Sequence, residues 1–220
     1  MNLSKRFNRS RLNLREGFTV VEMLVVVTIM VLLMSLLTQF GGSGNDQRKL
    51  KMSADKITGA IEQARTYAMA NNTYTWVALH SDTTNRVVNT LVVASKTGLS
   101  NALAANAYSL LGTIQQSENT VLQDPKDTVF APSVNFSSLP AGSLTVPYQN
   151  TTRSFSNAKL IRFSPLGEAV DNEGYPLNGV GIGITLKPKG SDVTPPGVSP
   201  IEIHVNGYTG KTILNYSKES

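Results

Sequence analysis

Oxygen-rich side chains in the second half of the chain are the first candidates for chemistry. Glu168, Asp171 and Glu173 lie close together, with Asn172 and Gly174 among them. Carboxylate and amide oxygens are the ligands that hard cations such as Ca²⁺ take in proteins. Asp171 and Glu173 are therefore a candidate calcium site, and a solvated acidic turn is the alternative. No other metal site is predicted.

Catalytic arrangements are otherwise missing from the sequence. There is no Cys, and His80 and His204 are the only histidines, which excludes a thiolate metal site and an all-histidine zinc site. No Gly-x-Ser-x-Gly nucleophile elbow is present. Gly210-Lys211-Thr212 ends like a P-loop, but Val205 stands where that motif needs a glycine. The sequence therefore predicts no enzyme activity, no catalytic residue and no cofactor.

Positive charge is concentrated at the N-terminus. The formal net charge of the 220 residues is +5, with 20 basic and 15 acidic side chains. Five of the basic residues and one acidic residue lie within 1–17, so the remaining chain is almost neutral. A nearly neutral body gives little support to a general nucleic-acid-binding function, which needs a basic surface.

The residues after this basic segment form an apolar run, 18–37, in which Glu22 is the only charged side chain. A helix of about 20 residues spans the roughly 30 Å hydrocarbon core of a bilayer. We therefore predict a transmembrane helix at 18–40 and a single-pass inner-membrane protein. The basic residues place its N-terminus in the cytoplasm and its C-terminal domain outside. A signal peptide cleaved near 42–44 and a plain anchor are the alternatives, but a carboxylate in a spanning segment suggests a function.

The segment Gly17-Phe18-Thr19-Val20-Val21-Glu22 resembles the processing site of type IV prepilins and type II secretion pseudopilins. The resemblance implies a basic prepilin leader at 1–17, cleavage between Gly17 and Phe18 by a prepilin peptidase, and N-methylation of Phe18. It also implies that Glu22 pairs with the N-terminal ammonium of a neighbouring subunit. Such a buried ion pair adds little stability, but it can set the register of assembly.

The same resemblance implies a structural role, as a minor pilin or pseudopilin of a type IV pilus or a type II secretion pseudopilus. The partners it implies are the prepilin peptidase, other pilin or pseudopilin subunits and an inner-membrane assembly platform. The chain would lie in the membrane before assembly and in the filament afterwards. A monotopic, membrane-anchored envelope protein that does not assemble is an alternative.

A DNA-uptake minor pilin is a second alternative. DNA-binding relatives carry a basic Gly-Arg-x-Arg motif near the C-terminus, and the corresponding stretch here is Gly210-Lys211-Thr212-Ile213. Lys211 is its only basic residue, whereas binding to phosphates needs several Lys or Arg side chains. Lys211 is thus the one DNA-binding candidate, and nucleic acid is not an expected partner.

Local patterns predict the elements that must carry these residues. Apolar residues recur every three or four positions in 48–71, which predicts an amphipathic helix: Leu50, Ala54, Ile57, Ile61, Ala64 and Ala68. β-Branched runs at 73–81 and 86–95 predict a hairpin. Further strands are predicted at 159–163, 180–186, 201–205 and 211–215, the last two forming a hairpin. The Ser- and Asn-rich stretch 96–158 is predicted to be an irregular insertion, with a short helix at 102–111 and one or two short strands near Val129 and at 144–146.

Three short segments are similar to the GspH/FimT group of minor pseudopilins and minor pilins. They are Ala64-Arg65-Thr66-Tyr67-Ala68, Phe163-Ser164-Pro165-Leu166-Gly167 and Gly210-Lys211. Prepilin-like proteins of Verrucomicrobia-type genomes are similar over 67–79. The implied fold is α+β and pilin-like: a long N-terminal helix, with a transmembrane half and an amphipathic half, packed on an antiparallel β-sheet. The extracytoplasmic domain would be 45–220.

Overall fold

The computed structural model describes residues 19–40, 43–96, 98, 107–126, 132–148 and 150–216. The predicted leader 1–17 and the predicted cleavage site at Gly17 and Phe18 lie outside the described residues. The chain divides into two compact units, Met1–Gly42 and Ser43–Ser220. Within the described residues, the first unit contains helix α1, Val20–Phe40, and the second contains helix α2, Ser43–Asn71, together with all the strands.

Helix α2 forms where the apolar periodicity predicts it. The six residues of the predicted stripe are all fully buried: Leu50, Ala54, Ile57, Ile61, Ala64 and Ala68. Half of them are alanines, whose small side chains let the helix backbone approach the strands closely. The helix ends at Asn71, and Asn72 has a positive φ of 48°, a conformation that asparagine adopts more readily than most residues. The predicted amphipathic helix is confirmed.

The first sheet is antiparallel, with the strand order β3-β2-β1-β8-β7; β4 also pairs with β2, and β9 with β8. Thr75 lies opposite Ala94 and Asp82 opposite Val87, so the predicted hairpin is confirmed. The strands are β1 Thr75–Asp82, β2 Val87–Ser95, β3 Tyr108–Leu110, β4 Gln115–Glu118, β7 Ala141–Tyr148, β8 Thr151–Phe163 and β9 Ala169–Val170.

The second sheet has the order β12-β11-β10-β5, and the short strand β6 pairs with β10 in parallel. β11 and β12 are antiparallel, with Ile201 opposite Tyr216, so the predicted C-terminal hairpin is confirmed. The strands are β5 Thr120–Gln123, β6 Val134–Asn135, β10 Gly179–Leu186, β11 Ile201–Asn206 and β12 Thr212–Tyr216; a 3₁₀ turn, Phe136–Ser138, follows β6.

Two apolar cores hold the second unit together. The larger one joins the buried stripe of α2 to one face of each sheet, including Phe163 of the first sheet and Ile203 of the second. The smaller one lies on the opposite face of the first sheet and includes Trp76, Leu144 and Phe155. Because successive side chains of a strand point to opposite faces, and both faces are covered here, β1 and β2 are buried along most of their length.

The two ends of the first sheet approach each other across the smaller core. The hydroxyl group of Tyr108 on β3 donates to the Thr145 carbonyl on β7 over 3.0 Å and accepts the Thr145 N–H over 2.7 Å. β3 and β7 are the first and last strands of the sheet order. The sheet therefore curls strongly around its own apolar side chains.

The predicted fold class, a pilin-like α+β arrangement of a long N-terminal helix on an antiparallel sheet, is wrong. The described chain is mostly β, and its two α-helices belong to separate compact units. The physical reason lies in 96–158, whose described residues contain β3–β7 and the start of β8. Of these strands, only β7 covers a predicted one, the short strand at 144–146. β3 and β4 pair with β2, the β7–β8 hairpin joins the same sheet through β1, and β5 and β6 pair with β10 in the second sheet. They therefore extend two sheets instead of leaving one sheet under a long helix.

The predicted membrane location also needs correction. In the part of the chain that the structure describes, no helix combines the length and the apolar character needed to cross a bilayer. This finding contradicts the transmembrane helix at 18–40 and the single-pass inner-membrane location, which we withdraw.

Candidate functional site

Glu22 forms a reciprocal pair with Thr19 at the start of α1. The backbone N–H of Thr19 donates to Oε2 of Glu22 over 2.9 Å, and the Thr19 hydroxyl donates to the same oxygen over 3.0 Å. The Glu22 N–H in turn donates to the Thr19 hydroxyl oxygen over 3.2 Å. This is a capping box, in which two side chains satisfy N–H groups that a helix start leaves unpaired.

The capping box also sets the charge state of Glu22. The hydrogen bond from the Thr19 N–H, and after it the bond from the Thr19 hydroxyl, lower the pKa of the Glu22 carboxyl. Both favour the ionised form, which is the form that an ammonium group can pair with. The signal was present in the sequence as a threonine three residues before a glutamate, but the prediction for Glu22 did not use it.

The surface of α1 is apolar on all sides. The large apolar side chains from Val20 to Met34 are between 45% and 83% exposed within the chain. They follow one another almost without interruption, so every face of the helix carries them. The hydroxyl groups of Thr28 and Ser35 donate to the carbonyls of Leu24 and Leu32, which removes two polar groups from the surface. Exposed apolar surface of this extent marks an interaction site.

A second candidate region is the turn cluster, which we define as the turns 164–168, 171–175 and 206–210. The turns are held together by backbone contacts: the Ala169 N–H donates to the Gly207 carbonyl over 2.7 Å. A Cβ on Gly207 would lie 1.4 Å from the Leu177 carbonyl oxygen, and a Cβ on Gly210 would lie 2.1 Å from the Gly167 carbonyl oxygen. Only glycine permits these two approaches.

The turn cluster packs on α2, which brings together the segments 64–68, 163–167 and 210–211. Arg65 of α2 donates from Nε to the Thr209 carbonyl over 2.7 Å, next to Gly210. A Cβ on Gly167 would meet the sulfur of Met69 at 2.6 Å, so this glycine lies directly on α2. The three segments thus form one packing contact between α2 and two turns.

The candidate calcium ligands Asp171 and Glu173 lie in one turn of this cluster. Oδ1 of Asp171 accepts the N–H groups of Glu173 and Tyr175, each over 2.9 Å. These bonds, led by that from Tyr175, lower the pKa of Asp171. Among the described residues, no group of three or more His, Cys, Asp or Glu side chains is placed to hold a metal ion. The turn accounts for Asp171 without a metal, and the calcium site stays a hypothesis.

Lys211, the candidate for contact with DNA, is exposed at the end of the β11–β12 turn. The basic residue that contacts the neighbouring Gly210 is Arg65, and its Nη1 lies 3.6 Å from Oε2 of Glu62. The other oxygen of Glu62 accepts the hydroxyl and the N–H of Thr212, over 2.9 Å and 3.3 Å. The negative charge of Glu62 therefore lies beside Arg65, which weakens the attraction of this surface for phosphates. DNA binding by Lys211 stays an untested alternative.

The two histidines lie apart from these regions. His204 is buried on β11 with Nε2 3.4 Å from Oε2 of Glu202, whose Oε1 accepts the Lys126 N–H over 2.6 Å. The ring of His80 on β1 packs edge-on against Phe155, with 5.4 Å between centroids. Both contacts belong to the packing of the sheets.

Comparisons with known proteins found no match: no family model, no curated protein and no solved structure is similar to the chain. The functional conclusion therefore depends on the residues and the geometry of this chain. The other regions described above are explained by packing within the chain. The large exposed apolar surface of α1 is not, and it is therefore the best candidate for a functional site.

Proposed function

We propose that the chain is a structural subunit of a filament of the type IV pilus or type II secretion pseudopilus kind, assembled through α1. The observation that carries the proposal is the apolar surface of α1, exposed on all its faces from Val20 to Met34. A helix that is apolar all round needs apolar neighbours on every side. A bundle of α1 helices from several subunits supplies such neighbours.

The residues at the start of α1 give the proposal its second support. Cleavage after Gly17 would create an ammonium group at Phe18, one residue before Thr19. Glu22 is held in its ionised form by the Thr19 N–H and hydroxyl. When subunits stack, the Glu22 carboxylate would neutralise the Phe18 ammonium of an adjacent chain. An axial offset between subunits that does not pair the two groups would leave a buried charge without a partner, so the pair would set the register of assembly.

The second unit would then be the part of each subunit that lies outside the helical bundle. Its apolar cores are closed by α2 and the two sheets, so it folds around its own residues and not around a partner. The shape and charge of its outer surface would determine which subunits it neighbours. Prepilin peptidase, other filament subunits and an assembly platform are the partners this function requires.

The test is the N-terminal peptide of the chain purified from cells that contain a prepilin peptidase. Mass spectrometry should find a peptide that begins at Phe18 and carries one added methyl group. The same chain should be recovered in filaments sheared from the cell surface or released from the envelope. A peptide beginning at Met1 or Asn2 in every fraction, with no chain in filaments, would contradict the proposal.

A variant of the cleavage site supplies the control. Gly17→Asp places a charged side chain at the position before the cut and should leave the leader attached. Asn13→Asp changes a leader residue in the same way, outside the motif, and should be processed normally. If both variants are processed equally, Gly17 is not the recognition residue.

A further inference from the structure

A cavity of about 440 Å³ opens on the first sheet between β8, β9 and the segment 138–140. Its volume falls in the range of small-molecule sites, roughly 300–1,000 Å³. The cavity lies within the second unit, and the filament proposal assigns it no role. Exposed residues form its rim, among them Ser138, Pro140 and Asn172. Most of its wall is apolar and comes from Val134, Leu139, Leu160, Ile161, Val170 and Leu177.

Trp76 on β1 belongs to this wall, and its indole N–H has no hydrogen-bond acceptor among the residues that the structure describes. The residue is only 2% exposed. Its nitrogen is nevertheless accessible, because Trp76 is not one of the described residues with a fully buried polar atom that lacks a partner. Since the ring is otherwise buried and lines the cavity, the accessible N–H faces the cavity. A buried tryptophan N–H usually has a partner, so this unpaired donor calls for an acceptor from outside the chain.

The charged groups of the wall, by contrast, are already engaged within the chain. Nη2 of Arg162 donates to the Asn172 side-chain oxygen over 2.8 Å, and Nη1 donates to the Asn172 carbonyl over 3.3 Å. The negative charge of Asp171 acts on the same guanidinium and offsets its charge. Oδ1 of Asp171 accepts the N–H groups of Glu173 and Tyr175, each over 2.9 Å. A ligand with a net charge would therefore lose its hydration against apolar surface without gaining a free counter-charge.

These two observations define the chemistry of a ligand. The unpaired indole N–H needs an oxygen acceptor, and the engaged charges favour a molecule without a net charge. The apolar wall favours a molecule with a largely apolar surface, because removing such surface from water drives binding. A neutral molecule with an apolar body and a carbonyl oxygen has all three properties.

We propose that this cavity binds a neutral carbonyl compound with an apolar ring or chain. The carbonyl oxygen of the ligand accepts the indole N–H of Trp76. The apolar body packs against the buried side chains of Leu139, Leu160 and Val170. The acceptor replaces the water that otherwise hydrates the N–H, and the apolar body displaces water that the wall binds poorly.

NMR can detect this contact directly. Trp76 is the only tryptophan of the chain, so ¹⁵N-labelled protein gives one indole N–H resonance. Cyclohexyl methyl ketone, added to the full chain in non-ionic detergent, should shift the proton resonance downfield in a saturable way, because a hydrogen bond to oxygen deshields the proton. Isopropenylcyclohexane has the same shape with CH₂ in place of the oxygen, and it should cause no downfield shift.

A matched pair of variants separates the hydrogen bond from the apolar contacts. Trp76→Phe keeps an aromatic ring in the wall and removes the N–H. It should weaken binding of the ketone by roughly three- to tenfold more than binding of the alkene, the difference expected for one hydrogen bond. Tyr108→Phe removes a hydroxyl group from the smaller core outside the cavity and should leave both affinities unchanged. Equilibrium dialysis with the same detergent in both chambers measures the affinities, because uptake into micelles then cancels.

A charged analogue tests the preference for a neutral ligand. Cyclohexanecarboxylate has the same ring and a negative charge, and it should bind at least about tenfold more weakly than the ketone. The resonance shift is measured on the wild-type chain, so the test does not depend on the folding of Trp76→Phe. No saturable binding of the ketone, binding without the downfield shift, an equal loss of ketone and alkene affinity in Trp76→Phe, or tighter binding of the carboxylate would each overturn the proposal.

Discussion

Oε2 of Glu22 lies 2.9 Å from the backbone nitrogen of Thr19, and the two residues cap each other at the start of α1. This relationship gives Glu22 a role inside its own chain, in addition to the role between subunits that the processing motif implies. A variant that tests subunit pairing must therefore remove the charge of Glu22 while keeping its hydrogen bond to the Thr19 N–H. The chemistry of the capping box permits this, because Gln serves at the same position as well as Glu.

We expect Glu22→Gln, but not Thr19→Ala, to impair assembly. Glu22→Gln keeps an oxygen that can accept the Thr19 N–H but removes the charge, so the variant should be processed normally and enter filaments poorly. Thr19→Ala loses the hydroxyl cap and keeps the charge, so it should still assemble. Immunoblots of sheared filaments, normalised to whole cells, measure both. Normal assembly of the Gln variant would show that the charge of Glu22 is dispensable.

The lowered pKa of Asp171 predicts an acid-dependent stability. Hydrogen bonds from Tyr175, Glu173 and Gly174 lower the pKa in the folded state, below the ordinary value of 3.8. The ionised form therefore stabilises the fold fully above the ordinary pKa, and this contribution disappears as the pH falls through the lowered folded value. Asp171→Asn should reduce the acid sensitivity of the melting temperature. If the melting temperature of Asp171→Asn falls with pH as steeply as that of the wild type, ionised Asp171 does not stabilise the fold.

Gly207→Ala should destabilise the second unit by about 3 kcal/mol or more, because its Cβ would lie 1.4 Å from the Leu177 carbonyl oxygen. Relief requires moving backbone in two turns that are hydrogen-bonded to each other. Gly59→Ala in α2 is the control: nothing lies within 4 Å of its Cβ, and alanine favours the helix by about 0.5–1 kcal/mol. Denaturant unfolding should shift in opposite directions for the two variants.

Tyr108→Phe should cost about 1 kcal/mol of unfolding free energy, because it removes both hydrogen bonds to Thr145. The phenylalanine ring still fills the smaller core, so the variant should lose only the hydrogen bonds that join β3 to β7. Hydrogen exchange should then accelerate at the Thr145 amide. Tyr208→Phe removes the hydroxyl bond of a 61% exposed tyrosine to Asn178 and should change stability less. If both variants lose the same unfolding free energy, the hydrogen bonds between β3 and β7 do not contribute more than an exposed tyrosine hydroxyl.

The local elements were predictable because their signals are local. The stripe from Leu50 to Ala68 repeats with the helical period, and each of its members is buried. The β1–β2 and β11–β12 hairpins join strands that are adjacent in sequence, so their turns specify the pairing. The capping box of Thr19 and Glu22 was equally local, and its spacing was visible in the sequence.

The overall fold and the cavity were not predictable, because they depend on contacts between distant segments. Tyr108 meets Thr145 across the curled sheet, and nothing near either residue indicates the other. Trp76, Arg162 and Val170 form one row only because β1, β8 and β9 are neighbours in the sheet. Most of the described strands within 96–158 were missed for another reason, because their polar composition hides the alternation on which strand prediction relies.

Patterns among neighbouring residues were enough to predict α2, the two hairpins and the nearly neutral body, and to reveal the resemblance of the segment ending at Glu22 to a prepilin processing site. Periodicity, turn residues and charge are properties of neighbouring residues, so a single chain displays them directly. The three-dimensional structure was needed to show that the described residues are mostly β, that three separated segments meet at Gly167 and Gly210, and that Arg162 and Asp171 line one cavity. Those features follow from the pairing of distant strands, whose free energy depends on packing in three dimensions.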